Sequence, residues 1–185
     1  MRHSSENDQR VLAIDPYPRG FGFAVLEGSE RLIDYGVKKV RGDKNSACLQ
    51  RITDLIGRYE PDLIVLGTPT SNGSRRALRV QELIQEILKL ASSKGIKARG
   101  YSRVQITKVF SSSGAITKHQ IASSIAKQIP ELALRLPPPR KPWMGEDERM
   151  SIFDAVALAL TCMSTWQVKE GAKALPGADK VMGKM

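Results

Sequence analysis

Between two stretches that repeat apolar residues at helical spacing lies a segment with no polar face: Asp62 to Gly67 reads DLIVLG, apolar at every position after the first. Such a strand is shielded from water on both sides, so it belongs inside a sheet covered on both faces, the usual setting of parallel strands. The flanking periodicity supplies the cover. Cys48, Leu49, Ile52, Leu55, Ile56 and Tyr59 mark a helix before it, and Leu78, Leu83, Ile84, Ile87 and Leu90 mark another from about Arg75 to Ser93. Ile96 to Tyr101 then returns as a strand. Strand and helix in alternation predict crossover units and an α/β sheet.

Upstream, Arg10 to Pro16 (RVLAIDP) is an apolar run closed by an acid and a proline, as a buried strand closes at a loop. Gly20 to Leu26 (GFGFAVL) and Arg31 to Lys38 (RLIDYGVK) follow after short connections, which predicts two strands hairpinned onto the first. The expected architecture is therefore a five-stranded mixed sheet, its first three strands antiparallel, flanked by helices. Ser111 to Gly114 (SSSG) reads as a turn, and Thr117 as the N-cap of a helix carrying Ile121, Ile125 and Ile129 as far as Pro130. Leu136 to Trp143 (LPPPRKPW) excludes regular helix and central strand. A last helix is expected from near Glu146 to about Gln167. Residues 1–9 and 168–185 offer little to bury and are expected to be disordered tails around one domain at 10–167.

A chain of 185 residues has room for one well-filled core. Its 29 Lys and Arg against 19 Asp and Glu give a formal charge of +10, which suits a polyanionic partner such as nucleic acid; a basic surface with no special role is the alternative that charge alone leaves open. Cys48 and Cys162 both fall in apolar helical patterns and read as buried thiols. No stretch approaches the ~20 apolar residues of a membrane span, so no membrane association and a cytoplasmic location are expected.

From Ile152 to Leu160 (IFDAVALAL) all but one residue is apolar, so Asp154 sits on a helix buried nearly all round. A carboxylate there needs a metal, a basic group or a polar cleft, because leaving it unpaired costs several kcal/mol or drives it neutral. An Asp paired with an Arg satisfies the same demand. Asp15, ending a central strand, falls at the sheet edge where α/β proteins place ligand crevices; the alternative is a turn-forming Asp before Pro16. Together, one acid on the first strand and one on a late helix make the arrangement that holds divalent cations, Mg²⁺ or Mn²⁺, for phosphodiester cleavage.

These segments resemble a known family. IDPYPRGFGFAVLE (Ile14 to Glu27) is similar to the first hairpin of RuvC-type Holliday-junction resolvases, and FDAVALALT (Phe153 to Thr161) to their final helix. YSRVQITKVFSSSGAITKHQIASSIAKQI resembles the stretch between, which pairs two basic residues around a small-residue turn. The resemblance implies a ribonuclease-H-like fold, Asp15 and Asp154 as metal ligands, Lys108 and Lys118 on the scissile or flanking phosphates, branched DNA as substrate, and a homodimer. IVLGTPTSNGSRRALRVQEL (Ile64 to Leu83) is also similar to a segment of YqgF-type pre-16S rRNA nucleases, which share that fold.

The departures concern the acids. Where resolvases end the fourth strand in Glu this chain has Gly67, and where they place an Asp three residues before the last one it has Ser151. The YqgF-type Asp-Glu-Arg triplet corresponds to Tyr101, Ser102 and Arg103, and the resolvases' aromatic wedge to Thr70. A third ligand is therefore sought in Asp147, seven residues before Asp154 and nearly on its face if both are helical, with Glu148 next. The alternative is that Glu146, Asp147 and Glu148 serve only the helix dipole.

Arg75, Arg76 and Arg79 open the second long helix and, with Arg103, form a candidate phosphate-binding set; a solvated helix face is the alternative. His119 reads as a surface residue, and Trp143 and Trp166 as packing. Three functional readings result: a Mg²⁺- or Mn²⁺-dependent endonuclease using Asp15, Asp154, Asp147 and Lys118; a nucleic-acid-binding module that has lost cleavage with its missing acids; and a nuclease processing structured RNA.

Overall fold

A computed structural model describes residues 9–28, 31–68 and 75–171, with side chains undescribed at 75, 76 and 166–171. Five strands, β1 (Arg10–Tyr17), β2 (Gly20–Glu27), β3 (Arg31–Lys39), β4 (Leu63–Gly67) and β5 (Lys97–Tyr101), form one sheet in the order β3-β2-β1-β4-β5. β1, β2 and β3 are antiparallel neighbours, whereas β4 runs parallel to both β1 and β5. Pro16 is tolerated in the central strand because pairing with β4 ends at Ile14, so its missing N–H costs no bond on that side.

Helices α1 (Lys44–Tyr59) and α2 (Arg75–Ser93) cover one face, and α3 (Arg103–Phe110), α4 (Lys118–Gln128) and α5 (Met150–Gly171) the other. Side chains alternate across each strand, so Leu12 and Ile14 of β1 pack with Ile52, Leu83 and Ile87, while Val11 and Ala13 pack with Phe153, Val156 and Ala157. Asp15, next in the second series, faces α5.

The caps follow local chemistry. Asp43 accepts from the Ser46 amide at the start of α1, and Thr117 and Gln120 form a capping box at the start of α4. A matching box, Ser102 with Gln105, opens α3. That helix is absent from the sequence reading because its eight residues bury only Ile106 and Phe110, too few to show a period. Pro130–Arg135 is likewise a 3-10 turn rather than a plain break.

One boundary shift bears on the site: α5 begins at Met150, not near Glu146, and continues to Gly171. The rest of the expected tails, residues 1–8 and 172–185, and Thr70 lie outside the described residues. No helix among the described residues is long and apolar enough to cross a membrane.

Candidate metal and phosphate site

One glycine lets α5 descend onto the sheet, and a second borders Asp15. Gly22 of β2 is paired with Asp15, and a Cβ on it would lie 2.3 Å from the Ser151 carbonyl oxygen, so only glycine admits the helix this close. Asp154 is one turn further along α5. Gly67, ending β4 beside Asp15, would carry a Cβ 3.3 Å from Asp15 Oδ1. The position expected to lack an acid thus opens directly onto the carboxylate.

Asp15 is half-buried. Among the described residues none donates a hydrogen bond or forms an ion pair to it. Burial, and then the charge of Asp154, hold its carboxyl well above the ordinary Asp pKa, although Lys118 and Arg103 act across space in the opposite sense.

Asp154 is differently placed. Lys118, the first residue of α4, donates from Nζ to Oδ2 at 2.8 Å, and Arg103, the first of α3, contacts Oδ1 at 3.3 Å. Burial still raises its pKa against these two cations. The Lys118 ammonium is itself penalised by burial, but Asp154 and Glu146 outweigh that and keep its pKa above the usual value. Glu146 receives a second bond from the same ammonium at 2.7 Å, so one lysine links two carboxylates from different segments. Sequence reading did not single out Glu146, because nothing local connects it to a lysine 28 residues away.

Asp147 does not return to the face of Asp154. It precedes the helix rather than belonging to it, and Arg149 binds both of its oxygens, at 3.0 Å from Nε and 2.6 Å from Nη2, which lowers its pKa. Glu148 is taken by Lys39 and, at 3.7 Å, by Arg19. The three acids before α5 are therefore latches on separate basic partners, Lys118 for Glu146, Arg149 for Asp147 and Lys39 with Arg19 for Glu148, not a dipole-facing first turn. Ser151 is buried, its hydroxyl donating to the Glu148 carbonyl at 2.6 Å. Among the described residues no three His, Cys, Asp or Glu side chains converge to hold a metal.

The basic residues divide similarly. Arg79 donates to Asn45 Oδ1 at 3.1 Å and to the Pro18 carbonyl, tying the β1–β2 turn to α1 rather than extending to solvent. Lys108 is exposed on α3, and the side chains of Arg75 and Arg76 lie outside the described residues. His119 is held at 3.0 Å from the Pro137 carbonyl, anchoring the proline segment. Trp143 contradicts the packing expectation: it is 78% exposed. The side chain of Trp166 is outside the described residues.

No family model matches the chain. The crossover junction endodeoxyribonuclease RuvC of Akkermansia muciniphila is 30% identical over 122 residues, covering 61% of this chain and 73% of that protein. Its namesake from Myxococcus xanthus is 27% identical over 178 residues, covering 91% and 85%. Among solved structures, Thermus thermophilus RuvC in complex with a Holliday junction substrate superposes with a TM-score of 0.67 at 18% identity, over 88% of this chain and 96% of that one. The yeast mitochondrial Holliday junction resolvase gives 0.67 at 13% identity, over 92% and 83%. At these identities the two structures speak for a shared fold.

Proposed function

This chain belongs to the RuvC family of crossover junction endodeoxyribonucleases, and on that premise we propose that it is a metal-dependent endonuclease of branched DNA with its reacting centre between Asp15 and Asp154. The observation that carries the reading is the asymmetry of the two acids. Asp154 has its charge answered by Lys118 and Arg103, whereas Asp15, beside it, has no contacting cation among the described residues. Two carboxylates held together with one unanswered favour a further positive charge.

The donor set fits a hard divalent cation, Mg²⁺ or Mn²⁺, because carboxylate oxygens are hard donors. Asp15 and Asp154 would hold it. Two carboxylates would suffice for Mg²⁺, which commonly binds proteins through one or two such groups. When bound, the cation supplies charge neutralisation at the phosphate and an activated water.

The chain's own residues do the rest. Lys118, 40% exposed while joined to Asp154, presents its remaining donor capacity to a phosphate entering the cleft. Arg103, on the longer contact, offers a planar fork to the same group, and Lys108 marks the outer track of the strand. Two symmetric cuts require two such centres, so a homodimer is the proposed working form, in a reducing cytoplasm where Cys48 and Cys162 remain buried thiols.

A second reading is favoured by a specific observation: Asp154 is already neutralised by protein cations, and Gly67 and Ser151 contribute no acid. The chain would then bind junctions without cutting them. Incubation of a synthetic four-way DNA junction with Mg²⁺ or Mn²⁺ separates the two. The nuclease reading expects paired nicks that fall by about 10³-fold in Asp15→Asn and Asp154→Asn, the scale of several kcal/mol of lost charge stabilisation. Binding with no product in either metal would leave the module. Preferential cutting of an RNA junction would instead support RNA processing.

A further inference from the structure

The segment between the 3-10 turn and α5 carries the most exposed aromatic side chain among the described residues. Trp143 is 78% and its neighbour Met144 49% exposed, on a turn closed by the Met144 amide donating to the Lys141 carbonyl at 3.0 Å. Pro137, Pro138, Pro139 and Pro142 stiffen the approach, and His119 fastens it to α4 through Pro137. On its far side the segment is fixed by Glu146 on Lys118 and by Glu148 on Lys39 and Arg19. A large apolar ring is thus held out in water by a braced scaffold, although it could have folded back on the sheet.

The surroundings of the ring define what it suits. Arg140 and Lys141 precede it, both exposed, and the Lys141 ammonium stands 5.5 Å from the ring centroid, within cation–π range. An aromatic ring with an ammonium over it and a second exposed cation three positions earlier in the chain matches a nucleobase with its attached phosphate. An apolar protein partner would leave those two cations to be desolvated. The location is also set: Glu146 is three positions after Trp143, so their Cα atoms are at most ~11 Å apart. The Glu146 carboxylate is 2.7 Å from the ammonium that contacts Asp154.

We propose that Trp143 is a base-stacking residue, inserted against an unstacked nucleobase at the branch of the DNA while Lys141 takes the adjoining phosphate, so that it positions the strand over the Asp15–Asp154 centre. This rests on the nucleic-acid reading above, but not on cleavage. Its role is in positioning and structure selectivity, since it touches the substrate away from the reacting phosphate.

The chain has two tryptophans, Trp143 and Trp166, so Trp166→Phe leaves Trp143 as the sole tryptophan emitter. Titration of this variant with a four-way DNA junction in Ca²⁺, with anisotropy of a labelled junction followed in parallel, is expected to quench the emission as the complex forms, more strongly than a linear duplex does. Trp143→Ala should weaken junction binding by roughly tenfold or more, and Trp143→Phe should restore most of it. Both variants should melt like the parent, because the side chain packs on little. Saturable binding with no change in Trp143 emission, or equal affinity of Trp143→Ala and the parent, overturns the stacking role alone. No binding of any junction overturns it together with the function on which it rests.

Discussion

The two faces of the sheet are built to similar apolar standards, yet the proposed chemistry lies on only one. On the α1 and α2 side, Leu12, Ile14, Phe21, Phe23, Ile52, Leu83 and Ile87 close an apolar core. On the other side the same strand alternation delivers Asp15, and α5, α4 and α3 bring Asp154, Lys118 and Arg103 to it. What distinguishes them is the helix approach. α5 starts over the paired Asp15 and Gly22 and is admitted by a missing Cβ, so a polar cluster lies where the helix begins and apolar packing resumes beyond it. A site of this kind needs charged groups from several elements with their ends directed to one place, and the α3–α5 layer alone supplies them.

The comparison is broken most severely by Gly22→Ala. A methyl 2.3 Å from the Ser151 carbonyl forces α5 off the sheet, and a shift of about 1 Å at Asp154 is expected to cost on the order of 10²-fold in junction cleavage. Steady-state nicking assays check this, and parent-like activity would mean that helix height does not govern the site. The opposite face should respond the other way. Leu83→Ala, fully buried, should lose about 2–5 kcal/mol in urea unfolding while the folded fraction keeps its junction affinity.

A smaller effect tests the unanswered charge of Asp15. Its folded-state pKa lies above the ordinary 3.8, so the native state holds this proton more tightly than the unfolded chain. Metal-free protein should therefore gain stability as pH falls from neutral through that raised value, levelling off below about pH 3.8. Asp15→Asn should melt higher than the parent at pH 7, and the gap should close in acid. Added Mg²⁺ should raise the parent's melting temperature and leave the variant unmoved. The smallest effect is expected from Asp147→Asn. Losing an exposed pair with Arg149 should change stability by less than about 1 kcal/mol and leave cleavage within about twofold; a large loss would return Asp147 to the metal site.

Where sequence and structure part company, the cause is the range of the interaction. Asp154 was conspicuous because a lone carboxylate interrupts an apolar helix, and Asp15 because an acid closes a strand, both signals contained within ten residues. Asp147 was misjudged by extending the helix four residues too far, since acids before a helix and acids in its first turn look alike in sequence. Arg79 and Arg103 had the right chemistry but unforeseeable partners, Asn45 with Pro18 and Asp154 respectively. Glu146 and Trp143 carried no local mark of their roles, one because its lysine comes from α4, the other because exposure is a property of the surface.

By itself the amino-acid order determined the five strands, their mixed pairing, the long helices and the two acids of the proposed centre, because hydrophobic period and turn chemistry act over a few neighbouring residues. Tertiary structure alone decided which cations answer which carboxylates, how closely α5 sits over β2, and which ring stays in water. Those outcomes depend on ångström-scale distances between segments far apart in the chain, and Coulomb energies and steric contacts change steeply over such distances.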